Sequence, residues 1–231
     1  MEENDNKKIL IVDDEPDITD FIGYNLRKEG FRVVVANDGA AGIEAAKTNI
    51  PDLILLDIMM PEMDGVEVCR TLRQLPQFNQ TVIAFLTARS EDYTHIAALD
   101  AGGDDFITKP ITPRVLLSRI NAMLRRNTMI VAADSGEPVI DFGELRIIKS
   151  EVMVYLKEVA IALARKEFEI LVLLSSKPGK VFTREEIFTK IWGNDVIVGI
   201  RTIDVHIRKL RERVGEDYIQ TVKGIGYKFV F

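Results

Sequence analysis

Through the first half of the chain, short and nearly continuous apolar runs alternate with stretches of helical period. Ile9–Val12, Arg32–Val35, Leu53–Leu56, Val82–Leu86 and Phe106–Ile107 read as five strands. They lack apolar–polar alternation, as strands covered on both faces do. Amphipathic stretches near 17–29, 38–49, 65–75, 91–101 and 113–125 separate or follow them, with helix starts marked by Asp38, Ser90 and the Thr112-Pro113 pair. Strict β-α alternation predicts a parallel, doubly wound sheet, and in such sheets the chemistry collects beyond the carboxyl ends of the strands.

The second half follows a different grammar. Residues 126–138 lose all periodicity and read as a linker between a domain over 1–125 and one over 139–231. Alternating segments at Leu145–Ile148 and Val152–Leu156 predict a small antiparallel sheet. Helical patterns follow at about 165–176, 184–191 and 199–214, and Thr183-Arg-Glu-Glu186 forms a capping box. Tyr218–Phe231 reads as two strands about a Gly-rich turn.

Length supports this division, since 231 residues exceed the usual size of one domain. The polar, acidic start is unlike a signal peptide, and no apolar run approaches the ~20 residues that cross a bilayer. A cytoplasmic protein without membrane contact is expected. Cys69, the one cysteine, falls in a helical pattern and reads as a buried small hydrophobe. The net charge of −6 hides an asymmetry. Residues 1–126 carry 14 basic against 21 acidic residues, whereas 127–231 carry 16 against 15. Seven bases fall within 199–228, the footprint of a nucleic-acid contact.

Asp13 and Asp14 follow the first strand, Asp57 ends the third, Thr87 the fourth and Lys109 the fifth. In a parallel sheet these residues meet at one edge. Three carboxylates there repel unless a cation neutralises them, and Mg²⁺, an oxygen-seeking ion, suits the need. Carboxylate nucleophile, metal, ammonium and hydroxyl together make a phosphoryl-accepting site. Taken singly, paired acids after a strand serve as helix caps and a Lys-Pro as a surface turn; the set points elsewhere. Val12–Pro16 has no glycine-rich phosphate loop, which argues against nucleotide binding.

Residues 8–15 (KILIVDDE), 56–65 (LDIMMPEMDG), 86–89 (LTAR) and 103–110 (GDDFITKP) closely resemble response-regulator receiver domains, across about 7–126. The resemblance implies a flavodoxin-like fold with Asp57 as phosphoacceptor. It places Asp13, Asp14, Asp57 and the Met59 carbonyl around Mg²⁺, with Lys109 on the phosphoryl group. Thr87 would swing towards that group while Phe106 turns inward. Relatives dimerise through the last strand and flanking helices, here a face of Ile96, Leu99, Asp100, Asp105 and Arg119. His95, Val115 and Asn121 depart from the ion pairs usual there.

In the third C-terminal helix, Ile203, Ile207, Leu210 and Val214 share one face. Thr202, His206, Lys209 and Arg213 form one outward row, and Arg201, Val205 and Arg208 another. A helix in a major groove beside a basic tip carrying Thr221, Lys223 and Lys228 would combine base reading with phosphate anchoring. Trp192 reads as a core anchor. Residues 139–231 resemble the winged-helix effector domain of OmpR/PhoB-type regulators, by 166–168 (KEF), 182–185 (FTRE), 191–193 (IWG), 201–211 (RTIDVHIRKLR) and 220–227 (QTVKGIGY). The resemblance implies duplex contacts from Arg201, Thr202, His206, Arg208, Lys209 and Arg211 on the helix and from Thr221 and Lys223 on the wing. The loop from Gly193 to Gly199 is where relatives often touch RNA polymerase. Ala164 stands where the family commonly has an N-capping Thr.

The expected function is a transcription regulator switched by phosphoryl transfer from a sensor histidine kinase to Asp57, dimerising to bind promoter DNA. Slow loss of its own phosphate is the only catalysis expected. A regulator whose receiver dimerises without phosphate is the alternative. A small-molecule phosphatase would need a substrate pocket and an independent general acid, neither visible in the sequence.

Overall fold

The computed structural model describes residues 6–88, 97–132, 139–193 and 201–231, with side chains throughout except at 125–132 and 201. The chain divides into two compact units, Met1–Leu124 and Arg125–Phe231.

In the first unit, β1 (Lys8–Val12), β2 (Arg32–Ala36), β3 (Leu53–Asp57), β4 (Val82–Ala88) and β5 (Asp105–Lys109) form a five-stranded sheet in the order β2-β1-β3-β4-β5. Every neighbouring pair is parallel. Ile9–Val12 and Leu53–Leu56 are buried on both faces, which explains their unbroken apolar character. Helices α1 (Pro16–Lys28), α2 (Gly39–Asn49), α3 (Gly65–Arg73) and α4 (Pro113–Ala132) connect or follow the strands, and 97–100 are helical. Asp38 caps α2, its carboxylate accepting from the Ala41 N–H at 2.7 Å. Cys69 is buried in α3 and its Sγ donates to the Ala101 carbonyl at 3.5 Å. Strand order reverses between β1 and β3, the place where sheets of this kind open a crevice at their carboxyl ends.

Arg73 pins the opposite end of this unit. Its guanidinium donates to the carbonyls of Phe78, Thr81 and Gly102 and pairs with Asp104 at 2.7 Å. Asp104 also accepts the Ile83 N–H at 2.8 Å, so one buried pair ties α3 to the starts of β4 and β5.

The expected linker is corrected in part. α4 runs to Ala132, so 126–132 are helical rather than irregular. Nothing between Ile120 and Ala132 breaks a helix; the first Gly and Pro come at Gly136 and Pro138.

The second unit opens with an antiparallel sheet of β6 (Val139–Phe142), β7 (Leu145–Ile148), β8 (Met153–Leu156) and β9 (Val159–Ile161). Helices α5 (Arg165–Ser175), α6 (Arg184–Ile191) and α7 (Arg201–Val214) follow. A second sheet joins β10 (Phe182–Thr183), β12 (Gly226–Phe229) and β11 (Ile219–Val222) in that order. The β11–β12 hairpin is the wing, turning at Gly224 with φ +76°, a conformation that favours glycine. The Thr183–Glu186 capping box is made in both directions, at 3.1 and 2.9 Å. Ala164 offers α5 no side-chain acceptor; only the Glu167 half of a box is present, accepting the Ala164 N–H at 2.9 Å. Trp192 is fully buried among Phe188, Lys166 and His206.

Candidate functional site

Sheet register brings the acids together. β1 and β3 are neighbours with Val12 opposite Leu56, so Asp13 and Asp57 emerge side by side. Carboxylate oxygens of Asp13, Asp14 and Asp57 all lie within 4.8 Å of one another. β5 delivers Lys109 to the same edge, and its Nζ contacts Asp13 at 2.8 Å, Asp57 at 2.9 Å and Glu15 at 3.1 Å. The second oxygen of Asp57 accepts the Met59 N–H at 3.0 Å. Gly65 is required beside this turn, because a Cβ there would sit 2.0 Å from the Asp57 carbonyl oxygen.

Charge in the pocket is unevenly matched. Burial raises the Asp57 carboxyl above its ordinary value; Lys109 draws it back only in part, and Asp13 pushes it further up. Burial alone would lower Lys109, but its hydrogen bonds to Asp13, Asp57 and Glu15 hold the ammonium above its ordinary value. One cation faces three carboxylates. An all-oxygen donor set with that surplus of negative charge fits a hard divalent ion such as Mg²⁺. Thr87 and Phe106 are both buried nearby in sequence register, on β4 and β5. Phe106 stacks on Phe85 with centroids 5.7 Å apart and is thus already turned inward.

Residues 9–121 match the family described as response regulator receiver domain, and 157–229 match the C-terminal domain of transcriptional regulatory proteins. The alkaline phosphatase synthesis transcriptional regulatory protein PhoP of Bacillus subtilis (strain 168) is 40% identical over 233 residues, spanning 96% of each chain. The chain belongs to the OmpR/PhoB-type response regulators. Among solved structures, a mutant of RitR is 28% identical with a TM-score of 0.78, covering 97% of this chain and 99% of that one. DrrB, a Thermotoga maritima OmpR/PhoB homolog, is 32% identical over the same shares with a TM-score of 0.49. A transcription regulator of a two-component system with a DNA-binding domain follows from the family matches and the PhoP likeness.

Within this response regulator the helix expected to face DNA is α7, and two of its residues need correction. Thr202 and His206 are 3% and 1% exposed, turned into the core rather than outward, with His206 5.4 Å from the Trp192 ring. The buried stripe takes in 202, 203, 206, 207, 210 and 214, wider than the four apolar positions alone indicate. Arg211 is half-buried and spent on β11, donating to the Ile219 carbonyl at 2.7 Å and the Thr221 hydroxyl at 2.8 Å. Arg213 likewise turns to α5, donating to the Ala162 carbonyl and lying 3.4 Å from Glu167. Arg208, Thr221 and Lys223 are exposed, and Lys209 is half-exposed. The side chain of Arg201 and the loop from 194 to 200 lie outside the described residues.

Three residues of the expected dimer face are buried in the single chain. Leu99, Asp105 and Arg119 are buried within the chain, Arg119 donating to the Phe106 carbonyl and Asp105 accepting the Phe106 N–H. Asp100 is half-buried, and Ile96 lies outside the described residues. Arg184 went unnoticed in the sequence. It opens α6 and bridges to α7 and the wing, and its place directly after the Thr183 cap was the available signal.

Among the described residues no helix is long and apolar enough to cross a membrane.

Proposed function

We propose that the chain takes a phosphoryl group from a sensor histidine kinase onto Asp57 and that this switches promoter binding by its C-terminal unit. The carrying observation is the Asp57 carboxylate, one oxygen on Lys109 at 2.9 Å and the other on the Met59 N–H at 3.0 Å, beside Asp13 and Asp14. In the transfer the phosphorus–nitrogen bond of a phosphohistidine breaks and a phosphorus–oxygen bond forms at Asp57. Lys109 balances charge on the phosphoryl oxygens, and the Thr87 hydroxyl offers them a donor. Asp13, Asp14, Asp57 and the Met59 carbonyl would hold Mg²⁺, which when bound supplies further positive charge to the same oxygens.

Phosphorylation adds charge and strong acceptors at one edge of the sheet and biases a two-state receiver. Because Leu99, Asp105 and Arg119 are buried here, dimerisation through the last strand and flanking helices requires the switch to expose them. A dimer would set two α7 helices on half-sites about one turn of DNA apart. Arg201, Arg208, Lys209, Thr221 and Lys223 are the proposed contacts. The 193–199 loop is proposed to meet RNA polymerase, in a cytoplasmic setting.

Asp57→Asn tests the reading. The variant is expected to take up no labelled phosphoryl group and to show no donor-stimulated binding to promoter fragments. Full stimulation in that variant would overturn it.

A further inference from the structure

An acid stands on the helix expected to meet a polyanion. Asp204, in the first turn of α7, has a side chain 45% exposed, and a carboxylate there repels phosphate unless something else occupies it. Its Oδ1 accepts two hydrogen bonds, from Arg184 Nε at 2.8 Å and from the Tyr227 hydroxyl at 2.6 Å. Arg184 Nη2 donates to the same hydroxyl at 3.2 Å, and the guanidinium lies over the Tyr227 ring, 5.0 Å from its centroid. Arg211 approaches that ring at 5.7 Å. Three elements therefore meet at one point: the first residue of α6, the first turn of α7 and wing strand β12.

The arrangement immobilises Arg184 without consuming it. Nε and Nη2 are bound inside the cluster, Nη1 takes no part in these bonds, and the side chain remains 24% exposed. An arginine that clamps a phosphate loses rotamer freedom on binding; one already held by a carboxylate, a hydroxyl and a ring has lost it beforehand. We propose that Asp204 is a positioning residue, fixing the Arg184 guanidinium at the seam of α6, α7 and the wing so that it anchors one DNA phosphate. Asp204 itself reads no base. The inference rests on the DNA-binding reading of the C-terminal unit.

The test uses the full chain, a duplex selected for binding by the wild type, and an unrelated duplex, with affinity measured over a range of KCl. One phosphate contact contributes about 0.9 to the slope of log K against log salt, hence about fivefold in affinity at ~0.15 M relative to 1 M. Asp204→Ala is expected to lower the slope by about that amount per protomer and to weaken both duplexes about fivefold. Arg184→Ala should do the same, and the double variant should be no worse than either single one. Asp204→Asn, which keeps the accepting oxygen, should retain most of the slope and guards against a folding artefact, with Trp192 fluorescence reporting the fold. Tighter binding by Asp204→Ala would overturn the inference, as would an unchanged slope with discrimination relaxed at one base pair, the signature of direct base reading. Additive effects of the two alanine variants would overturn it equally. A wild type that binds neither duplex would instead refute the DNA-binding reading and the inference with it.

Discussion

Replacing Glu169 by Gln should destabilise the C-terminal unit by ~3–5 kcal/mol, the cost of breaking a buried ion pair from one side. Glu169 has a side chain 2% exposed and holds two cations, Arg165 Nε at 2.8 Å and Lys166 Nζ at 2.7 Å, themselves only 4% and 7% exposed. Surface pairs contribute ~0–1 kcal/mol because water replaces the lost partner. Here water has no access, so both cations would stay buried and uncompensated. Lys166 keeps the Ile191 carbonyl at 2.9 Å and the Trp192 ring at 5.2 Å, which places the expected loss near the lower bound. Trp192 is the single tryptophan of the chain and lies in this cluster, so its fluorescence during urea unfolding reports this unit alone. A pH series adds an independent check. Burial would raise Glu169, but Lys166 and Arg165 outweigh it and hold the carboxyl below its ordinary value of 4.5. A depressed carboxyl stabilises the fold above that value and loses the contribution as pH falls through the folded one. The wild type should therefore weaken on acidification below about 4.5 more steeply than the Gln variant. A loss under ~1 kcal/mol, or parallel acid limbs, would refute the assignment of stability to this triad.

Two further outcomes follow from single positions. Ala164→Thr should stabilise the C-terminal unit by ~1 kcal/mol by supplying the missing cap of α5, read as a higher urea midpoint of Trp192 fluorescence at constant slope. Gly65→Ala should destabilise the receiver by ~1–3 kcal/mol, since the added Cβ meets backbone at 2.0 Å. Calorimetry should show the receiver melting earlier, and labelled phosphoryl uptake at Asp57 should fall with it.

How much of this was legible in the sequence depends on how local each cause is. Asp13, Asp57, Thr87 and Lys109 could be placed because a parallel sheet puts residues that end adjacent strands at one edge, whatever the loops do. The capping box at Thr183 and the core role of Trp192 are equally local. β6, β9 and β10 were not anticipated; β9 is three residues long and largely exposed, so it carries no hydrophobic pattern. The α7 rows failed at Thr202 and His206 because a packed helix buries a stripe wider than its aliphatic residues, and the flanking polar positions go in with it. Arg211 and Arg213 looked free because their acceptors, the Ile219 carbonyl on β11 and the Ala162 carbonyl just after β9, lie elsewhere in the fold. Pairings of that kind depend on tertiary structure, and no spacing within the helix encodes them.

The contrast between the two buried charge clusters supports reading one as a site and the other as a support. Both contain a buried carboxylate beside a lysine, yet Asp57 is pushed above its ordinary value and Glu169 below. The difference lies in stoichiometry. Around Glu169 two cations share one acid, so burial is overcome and the carboxylate needs no further positive charge. Around Lys109 three acids share one cation, and Asp14 adds a fourth carboxylate at the rim. Such a cluster is incomplete without added positive charge, and it leaves the Asp57 oxygens held by donors that can be redirected to an incoming phosphoryl group.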